Sequence, residues 1–435
     1  MQIKMHKSKE EAQEAAVDRT VAALIEKALA RGASDVHIEP RTNSIVVRFR
    51  VDGWLQEVAK LPLPALDTLV RNLKRRAELN TEESNAPQSG SFQFDSEQLV
   101  TSVHVATMPT VTGEKIALHL TRHLSEPATL ETLGYWGEAL ARIENAVAEP
   151  HGLIIASSLN RTGVTMSLLG VLHLLNNPAL NIATLEDPIE HQIAGINQTQ
   201  VNTAAGVNFS TGLQALLHQD PNVVMVSDLN EVDTVRVAVR AALNGRLILG
   251  GLHAPDAAHA ASHLLHMQVE PFLIGSSLRL SLGQRFVRRL CTSCRQAYTP
   301  DESVRKDLRT LLKATGIKTV KELHELEQIA VKHGLAGDDE QHLNTTEKTI
   351  TRLYRANPEG CPHCRFSGYN GRLGVCEVLS VTDAMKKLVA ENGDVAAIRK
   401  LAIQESMVPL PLDGLIKALR GLTSLEEVLP LALSA

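Results

Sequence analysis

The chain has 435 residues, 44% apolar and 21% charged, which is long enough for two or three globular domains with complete cores. No stretch is apolar enough to span a bilayer, and the charged first twenty residues lack the apolar centre of a signal peptide, so we expect a cytoplasmic protein. The net charge of −5 and the aromatic content of 3% argue against a nucleic-acid partner, which needs basic surface and stacking platforms.

Residues 1–123 predict an N-terminal α+β domain. An apolar-periodic helix leads into alternating strands in "SDVHIEP" and "SIVVRFRVDGWLQEVA", and a second helix in "LDTLVRNLKRRAEL" precedes strands around "LVTSVHVATM" and "GEKIALHLTR". Residues 124–150 contain turn residues and then a helix start, which is typical of a linker.

Residues 151–289 predict an α/β domain with a parallel sheet. Buried strands in "GLIIAS", "NIATLE", "NVVMVSD" and "RLILGGLH" alternate with helices, and this alternation requires crossover connections. Residues 290–435 predict a mostly helical C-terminal region.

Four of the five cysteines form two C-x-x-C pairs, Cys291 with Cys294 and Cys361 with Cys364. Two such knuckles bring four thiolates to one tetrahedral Zn²⁺, and four thiolates leave no open position for catalysis. The spacing between the pairs exceeds that of a compact zinc ribbon, so free thiols are the alternative. We predict a structural zinc site.

Seven segments carry a family resemblance: "GASDVHIEP", "VRFRVDG", "MPTVTGEKIAL", "NIATLEDPIEHQIAGINQTQVN", "LLHQDPNVVMV", "VEPFLIGSSLRLSLGQRFVRRLC" and "GYNGRLGV". In this order they resemble the signature segments of the GspE/PilB-like ATPases of type II secretion and type IV pilus assembly. The resemblance implies a RecA-like P-loop NTPase core, an N-terminal α+β domain and a helical, zinc-binding C-terminal region.

The resemblance also implies ATP and Mg²⁺ as ligands and hexameric rings of related ATPase subunits. These rings drive pilin or pseudopilin assembly with a platform protein, on the cytoplasmic face of the inner membrane. The similarity begins near residue 30, so we expect the extra N-terminal module by which many members dock on that platform to be missing, which puts direct platform contact in doubt.

The resemblance places the phosphate-binding loop, G-x-x-x-x-G-K-[ST], at residues 158–165. The eight residues are Ser158, Leu159, Asn160, Arg161, Thr162, Gly163, Val164 and Thr165. Serine replaces the first glycine and valine replaces the lysine that reaches the phosphates, whereas Gly163 and the magnesium-type hydroxyl of Thr165 remain. Two interpretations stay open: a strand-turn-helix that only packs, or a nucleotide site in which Arg161 or Arg246 supplies the missing charge.

Other phosphate contacts of the family are also replaced. Asn85 and Ser91 stand where the pattern R-x-P-Q-D-G-R has arginines, and Arg246 stands at the first histidine of the His box. In the block that matches G-E-I-R-D, Asp228 keeps a carboxylate on the magnesium side, but Asn230 replaces the arginine.

Several catalytic-type residues remain. The resemblance makes Glu186 the base that activates the attacking water, unless it only caps a turn, and it leaves His253 at the second position of the His box. Arg48 and Arg50 match family arginines that face a neighbouring subunit's nucleotide, although alternating residues on a solvent-facing strand would look the same.

Together these patterns predict a degenerate paralogue that acts as a noncatalytic or weakly catalytic motor subunit or regulator, in a homo- or hetero-hexamer. The alternative is an active hexameric ATPase with relocated cations.

Overall fold

The computed structural model describes residues 2–96, 100–122, 129–159, 161–317, 319–332 and 349–433, without the side chains of residues 2–15, 122, 161–162, 204 and 433. The chain divides into two compact units, Met1–Ser125 with Glu190–Gln192, and Glu126–Ile189 with Ile193–Ala435. Among the described residues, none of the helices combines the length and apolar character that a bilayer crossing requires.

The first unit is a six-stranded sheet with two helices packed on one face. Its elements are α1 (Gln2–Ala30), β1 (Ala33–Pro40), β2 (Ser44–Val51), β3 (Trp54–Pro62), α2 (Leu66–Arg76), β4 (Gln88–Asp95), β5 (Val100–Thr110) and β6 (Gly113–Arg122). The strand order is β3-β2-β1-β6-β5-β4, and the neighbouring strands are antiparallel. Alternate residues such as Val36 and Ile38 of β1 are buried in the core with Ile25 of α1 and Leu73 of α2.

The second unit is built on a seven-stranded mixed sheet. Its first elements are α3 (Glu138–Val147), β7 (Gly152–Ser157), α4 (Arg161–Leu175), β8 (Ile182–Glu186), β9 (Asn197–Gln200), α5 (Phe209–Leu217), β10 (Val223–Val226), α6 (Val232–Leu243), β11 (Leu247–Leu252), α7 (Ala257–Leu265), α8 (Pro271–Ser277) and β12 (Leu278–Leu290). The later elements are β13 (Gln296–Tyr298), α9 (Glu302–Ala314), α10 (Val320–Lys332), β14 (Leu353–Arg355), β15 (Tyr369–Ser380), α11 (Asp383–Ala390), α12 (Val395–Gln404), α13 (Leu410–Leu419) and α14 (Leu425–Leu433).

The strand order of this sheet is β15-β12-β7-β11-β10-β8-β9. All neighbouring pairs are parallel except β12 with β15, which pair antiparallel. Helices cover both faces, because alternate strand residues enter two cores: Ile154 lies in the core with α4, and Ile155 lies in the core with α6 and α7. The sheet therefore continues past residue 289, since its edge strand β15 comes from the C-terminal part of the chain.

Between the two cysteine pairs, β13 and β14 form a two-stranded antiparallel sheet. Helices α9 and α10 share an apolar core with α13 and α14, through residues such as Leu308, Leu323, Leu415 and Val428. Helices α9 and α10 of the segment between the cysteine pairs thus pack on the C-terminal helices.

Candidate functional site

The carboxyl ends of four neighbouring parallel strands bring the candidate nucleotide residues to one edge of the sheet. In sheet order, Ser158 follows β7, His253 follows β11, Asp228 lies beyond β10, and Glu186 ends β8. Adjacent strands are about 4.8 Å apart, so the loop after β7 and Glu186 are separated by three such spacings, about 14 Å. This edge is where ligands bind in open α/β sheets.

The loop after β7 is short. Strand β7 ends at Ser157 and α4 begins at Arg161, so five of the eight positions predicted as a phosphate loop lie inside the helix. A phosphate loop needs an extended glycine-rich turn whose N–H groups close around the phosphate oxygens. Asn160 and the side chains of Arg161 and Thr162 lie outside the described part of the chain.

Ser158 occupies the position of the family's first glycine and is buried. Its hydroxyl lies against Gly163, because a Cβ added to Gly163 would be 3.0 Å from Ser158 Oγ. A buried network holds this helix turn: Ser167 Oγ donates to Gly163 O at 2.8 Å, and Tyr135 Oη and Gln284 Oε1 lie 2.8 and 2.7 Å from the same hydroxyl.

Val164, at the position of the phosphate-binding lysine, is a core residue. It is 3% exposed and belongs to the apolar core that α4 forms with the sheet. Its Cγ1 lies under β11, 2.7 Å from where a Cβ on Gly251 would stand. The neighbouring Thr165 is 8% exposed.

Glu186 is fully buried at the end of β8. Its Oε1 accepts hydrogen bonds from Thr184 Oγ1 at 2.6 Å and Gln198 Nε2 at 2.9 Å, whereas Oε2 has no hydrogen-bond partner among the described residues. Burial raises the pKa of Glu186, against the lowering effect of these two hydrogen bonds. Thr184 and Gln198 were not predicted from the sequence; their only signal was their place in the "NIATLEDPIEHQIAGINQTQ" segment.

Asp228 is half-buried and His253 is exposed. Asp228 Oδ1 accepts the backbone N–H of Asn230 at 2.9 Å, which fixes the turn after β10. Arg246 precedes β11 at the opposite edge of the sheet, where it pairs with Asp220. A strand of six residues is about 20 Å long, so Arg246 cannot supply the missing charge to the loop of its own chain.

Arg48 and Arg50 lie on β2 in the first unit, on the face opposite its core. Arg48 Nη2 donates to Glu39 Oε1 at 2.6 Å, and Arg50 Nε lies 3.2 Å from Asp35 Oδ2. Lys115 also pairs with Glu39, at 3.0 Å. Although burial opposes it, the hydrogen bonds from Arg48 and Lys115 hold the pKa of Glu39 down at about 2. Within their own unit both arginines therefore have carboxylate partners.

The four predicted zinc ligands come together. The Sγ atoms of Cys291, Cys294, Cys361 and Cys364 all lie within 4.8 Å of one another. The pairs Cys291–Cys361, Cys294–Cys364 and Cys361–Cys364 are each 3.7 Å apart. Four sulfurs at about 2.3 Å from a tetrahedral zinc ion lie about 3.8 Å from each other, so the cluster fits Zn²⁺.

The backbone shapes the second knuckle for a thiolate. The N–H groups of Cys361 and Gly368 each donate to Cys364 Sγ at 3.2 Å. Although burial raises it, these two N–H groups bring the pKa of the Cys364 thiol down to about 6. Gly360 has a φ of 61°, and a side chain there would meet the backbone of Phe366 at 2.4 Å, so the turn requires glycine.

A family model described as "Type II/IV secretion system protein" matches residues 10–430. The chain belongs to this family. The assignment predicted from the sequence motifs is therefore confirmed.

Among relatives in the type II/IV secretion system protein family, the type IV pilus assembly ATPase PilB of Thermus thermophilus is 34% identical over 419 residues, covering 96% of this chain and 43% of PilB. The type II secretion system ATPase E of Vibrio cholerae is 34% identical over 416 residues, covering 96% of this chain and 75% of that protein. The chain thus spans under half the length of the first relative and three quarters of the second.

Two solved structures share the fold of this family member. The ATPase DotB of Legionella pneumophila has a TM-score of 0.63 at 16% identity, covering 94% of both chains. The pilus retraction motor PilT with bound ADP has a TM-score of 0.58 at 17% identity, covering 94% of this chain and 96% of PilT.

Proposed function

We propose that this chain is a secretion-ATPase subunit that binds ATP weakly or not at all, and that acts as a noncatalytic or weakly catalytic subunit or regulator of a type IV pilus or type II secretion motor. The observation that carries this proposal is Val164. The position that should present a lysine to the phosphates is a 3% exposed valine in the core under β11.

The loop geometry supports the same conclusion. With β7 ending at Ser157, α4 beginning at Arg161 and the Ser158 side chain against Gly163, the connection is too short to wrap a triphosphate. We infer that the side chains described here do not fit MgATP, although Thr165 and Asp228 are the residue types that hold magnesium. Several lost charge-assisted contacts, each worth about 1.5–3 kcal/mol, would weaken binding by several powers of ten.

Glu186 is the residue that would activate water in an active relative. In this chain its carboxylate is buried, and Oε1 is held at the strand end by the Thr184 hydroxyl and the Gln198 amide. A base without a phosphate clamp contributes little to phosphoryl transfer.

The alternative proposal is an active hexameric ATPase that powers pilin or pseudopilin assembly. Arg161 is the residue that favours it, because a guanidinium in the first turn of α4 would sit at a helix N-terminus where phosphate binds well.

The proposed partners are related ATPase subunits in a homo- or hetero-hexamer, with a platform protein at the cytoplasmic face of the inner membrane. We infer a ring from the family, with Arg48 and Arg50 directed at a neighbouring subunit's nucleotide. If so, they must exchange their partners Glu39 and Asp35 for phosphate oxygens. The cysteine cluster is proposed as a structural Zn²⁺ site that fixes the ends of β12 and β15.

The decisive experiment is a titration of the purified chain with a fluorescent ATP analogue, with and without Mg²⁺. We expect no saturation below millimolar nucleotide and no gain from Mg²⁺. Micromolar, Mg²⁺-dependent binding that is lost in Arg161→Gln but kept in Arg246→Gln would overturn the proposal and favour the active alternative.

A further inference from the structure

A cavity of about 190 Å³ lies in the second unit, where β12, β15, α9, α12, α13 and the end of α14 meet. This volume corresponds to about six water molecules, enough for a ligand of a few heavy atoms. Its lining includes charged side chains and the apolar side chains of Ile403, Pro411 and Leu431.

The cavity lies on the opposite face of the sheet from the phosphate-loop region. Gln284 of β12 points to α4, because its side chain bonds Ser167 of that helix. Successive residues of a strand point to opposite faces, so the next residue, Arg285, faces away from α4 and lines the cavity. The two places are therefore distinct.

Arg285 has unused hydrogen-bonding capacity. Its Nε donates to Pro255 O at 3.0 Å, and its two Nη groups make no hydrogen bond to any residue that the structure describes. The side chain is half-buried, and burial lowers the pKa of its guanidinium. A desolvated guanidinium with a free pair of donors matches the two oxygens of a carboxylate.

The other charges at this end already have partners. Asp256 accepts from Arg399 Nη2 at 2.7 Å and lies 2.8 Å from His259 Nδ1. Glu377 is buried and accepts the backbone N–H groups of Ala257 and Leu410 at 2.9 and 3.0 Å. Arg285 is thus the cation of the cavity whose Nη groups have no hydrogen-bond acceptor among the described residues, since Arg399 pairs with Asp256 and Glu377 is held by backbone N–H groups.

We propose that this cavity binds a small aliphatic carboxylate, with its carboxylate on Arg285 and its chain against Ile403, Pro411 and Leu431. The inference does not depend on the proposed function of the nucleotide edge. A cation would face Arg285 and Arg399, and a volume of about 190 Å³ suits a short aliphatic chain.

Binding should depend on pH through Glu377. Burial, with Asp256 next, raises the pKa of Glu377 to about 7. The charged groups that face it are Asp256 before α7, Arg285 on β12 and Arg399 on α12, while α9 and α13 contribute uncharged lining residues. A bound carboxylate disfavours the ionised form of Glu377. The affinity for the carboxylate should therefore rise as the pH falls from 8 to 6, by at most about tenfold per pH unit.

The test is calorimetry or ligand-observed NMR on the full zinc-containing chain with acetate, butyrate and hexanoate. We expect affinity to rise about fourfold per added methylene up to the cavity length, because each CH₂ leaves water. Arg285→Gln should lower hexanoate affinity at least tenfold, and Arg236→Gln, which changes a half-buried arginine on α6 that pairs with Asp233, should leave it unchanged.

If Arg285→Gln does not fold, Ala314→Leu provides a second test. The larger leucine side chain fills the cavity from the exposed end of α9, so this variant should not bind the carboxylates. Hexanol binding as tightly as hexanoate would overturn the role of Arg285. Equal affinity of the wild type and a folded Arg285→Gln variant, or no binding by any of the three carboxylates, would overturn the site itself.

Discussion

The strongest prediction concerns repair of the phosphate loop. Val164→Lys alone should destabilise the second unit and should not restore ATP binding. The substitution removes a valine that is 3% exposed, worth about 1.5–3 kcal/mol, and puts an unpaired ammonium into the core beneath Gly251. We expect a total loss of about 3–5 kcal/mol.

The combination Ser158→Gly, Arg161→Gly and Val164→Lys should behave differently. Ser158→Gly removes the side chain that lies against Gly163, and a glycine at position 161 weakens the helix start by about 1 kcal/mol, so the loop can open. ATP affinity should then move from beyond millimolar to about 10 µM, a change of about 3–5 kcal/mol.

Thermal melts and calorimetry measure this prediction. At 1 mM MgATP, a Kd of about 10 µM stabilises the folded state by about 2.7 kcal/mol, which raises the Tm of a unit of this size by about 4 °C. The matched control carries Val164→Met with the same two glycines, which gives an unbranched side chain one atom shorter than lysine and without its charge, and it should not respond to ATP. A folded triple variant that fails to bind ATP, or a methionine control that binds equally well, would refute the reasoning.

Four further outcomes test the site. Glu186→Gln should leave ATP turnover unchanged, and a wild-type phosphate-release rate clearly above the variant's would contradict this. Glu186→Gln should also raise Tm more at pH 8 than at pH 5. Burial raises the pKa of Glu186, so ionising this carboxyl destabilises the folded protein as the pH rises. Equal changes in Tm at the two pH values would argue against this. One zinc ion per chain should copurify. Cys291→Ser should abolish zinc binding and lower the free energy of unfolding by more than about 2 kcal/mol, whereas reduced protein that contains no zinc would rule out the site. Asn85→Arg with Ser91→Arg, added to the repaired loop, should raise turnover more than affinity, as paired rate and binding assays can check.

The sequence was sufficient to predict the strands that consist of consecutive apolar residues. The apolar runs in β7, β8, β10 and β11 read as buried strands, and the structure forms them at those places. Strands β4 and β9 have polar sequences and were missed, because they form by pairing with β5 and β8. Such pairing depends on distant residues, which local patterns do not report.

The identity of the candidate residues followed from motif positions, but their surroundings did not. That Val164 lies under Gly251 depends on how α4 crosses the sheet. The early start of α4 also went unforeseen, since the motif led us to treat residues 158–165 as a loop, although no glycine stands between residues 157 and 163 to favour one. The alternation of residues along β2 predicts that Arg48 and Arg50 lie on one face. Their partners Glu39 and Asp35 could not be identified without the register of β1 against β2.

The pairing of β12 with β15 limits how the chain can be shortened. A truncation near residue 289 would remove β15 and leave the backbone groups of β12, whose 13 residues include four leucines, unpaired along one edge. Exposed edges of this kind join the edges of other molecules and aggregate. A fragment limited to the parallel part of the sheet should therefore be insoluble, and expression trials of the second unit should extend at least through Ser380.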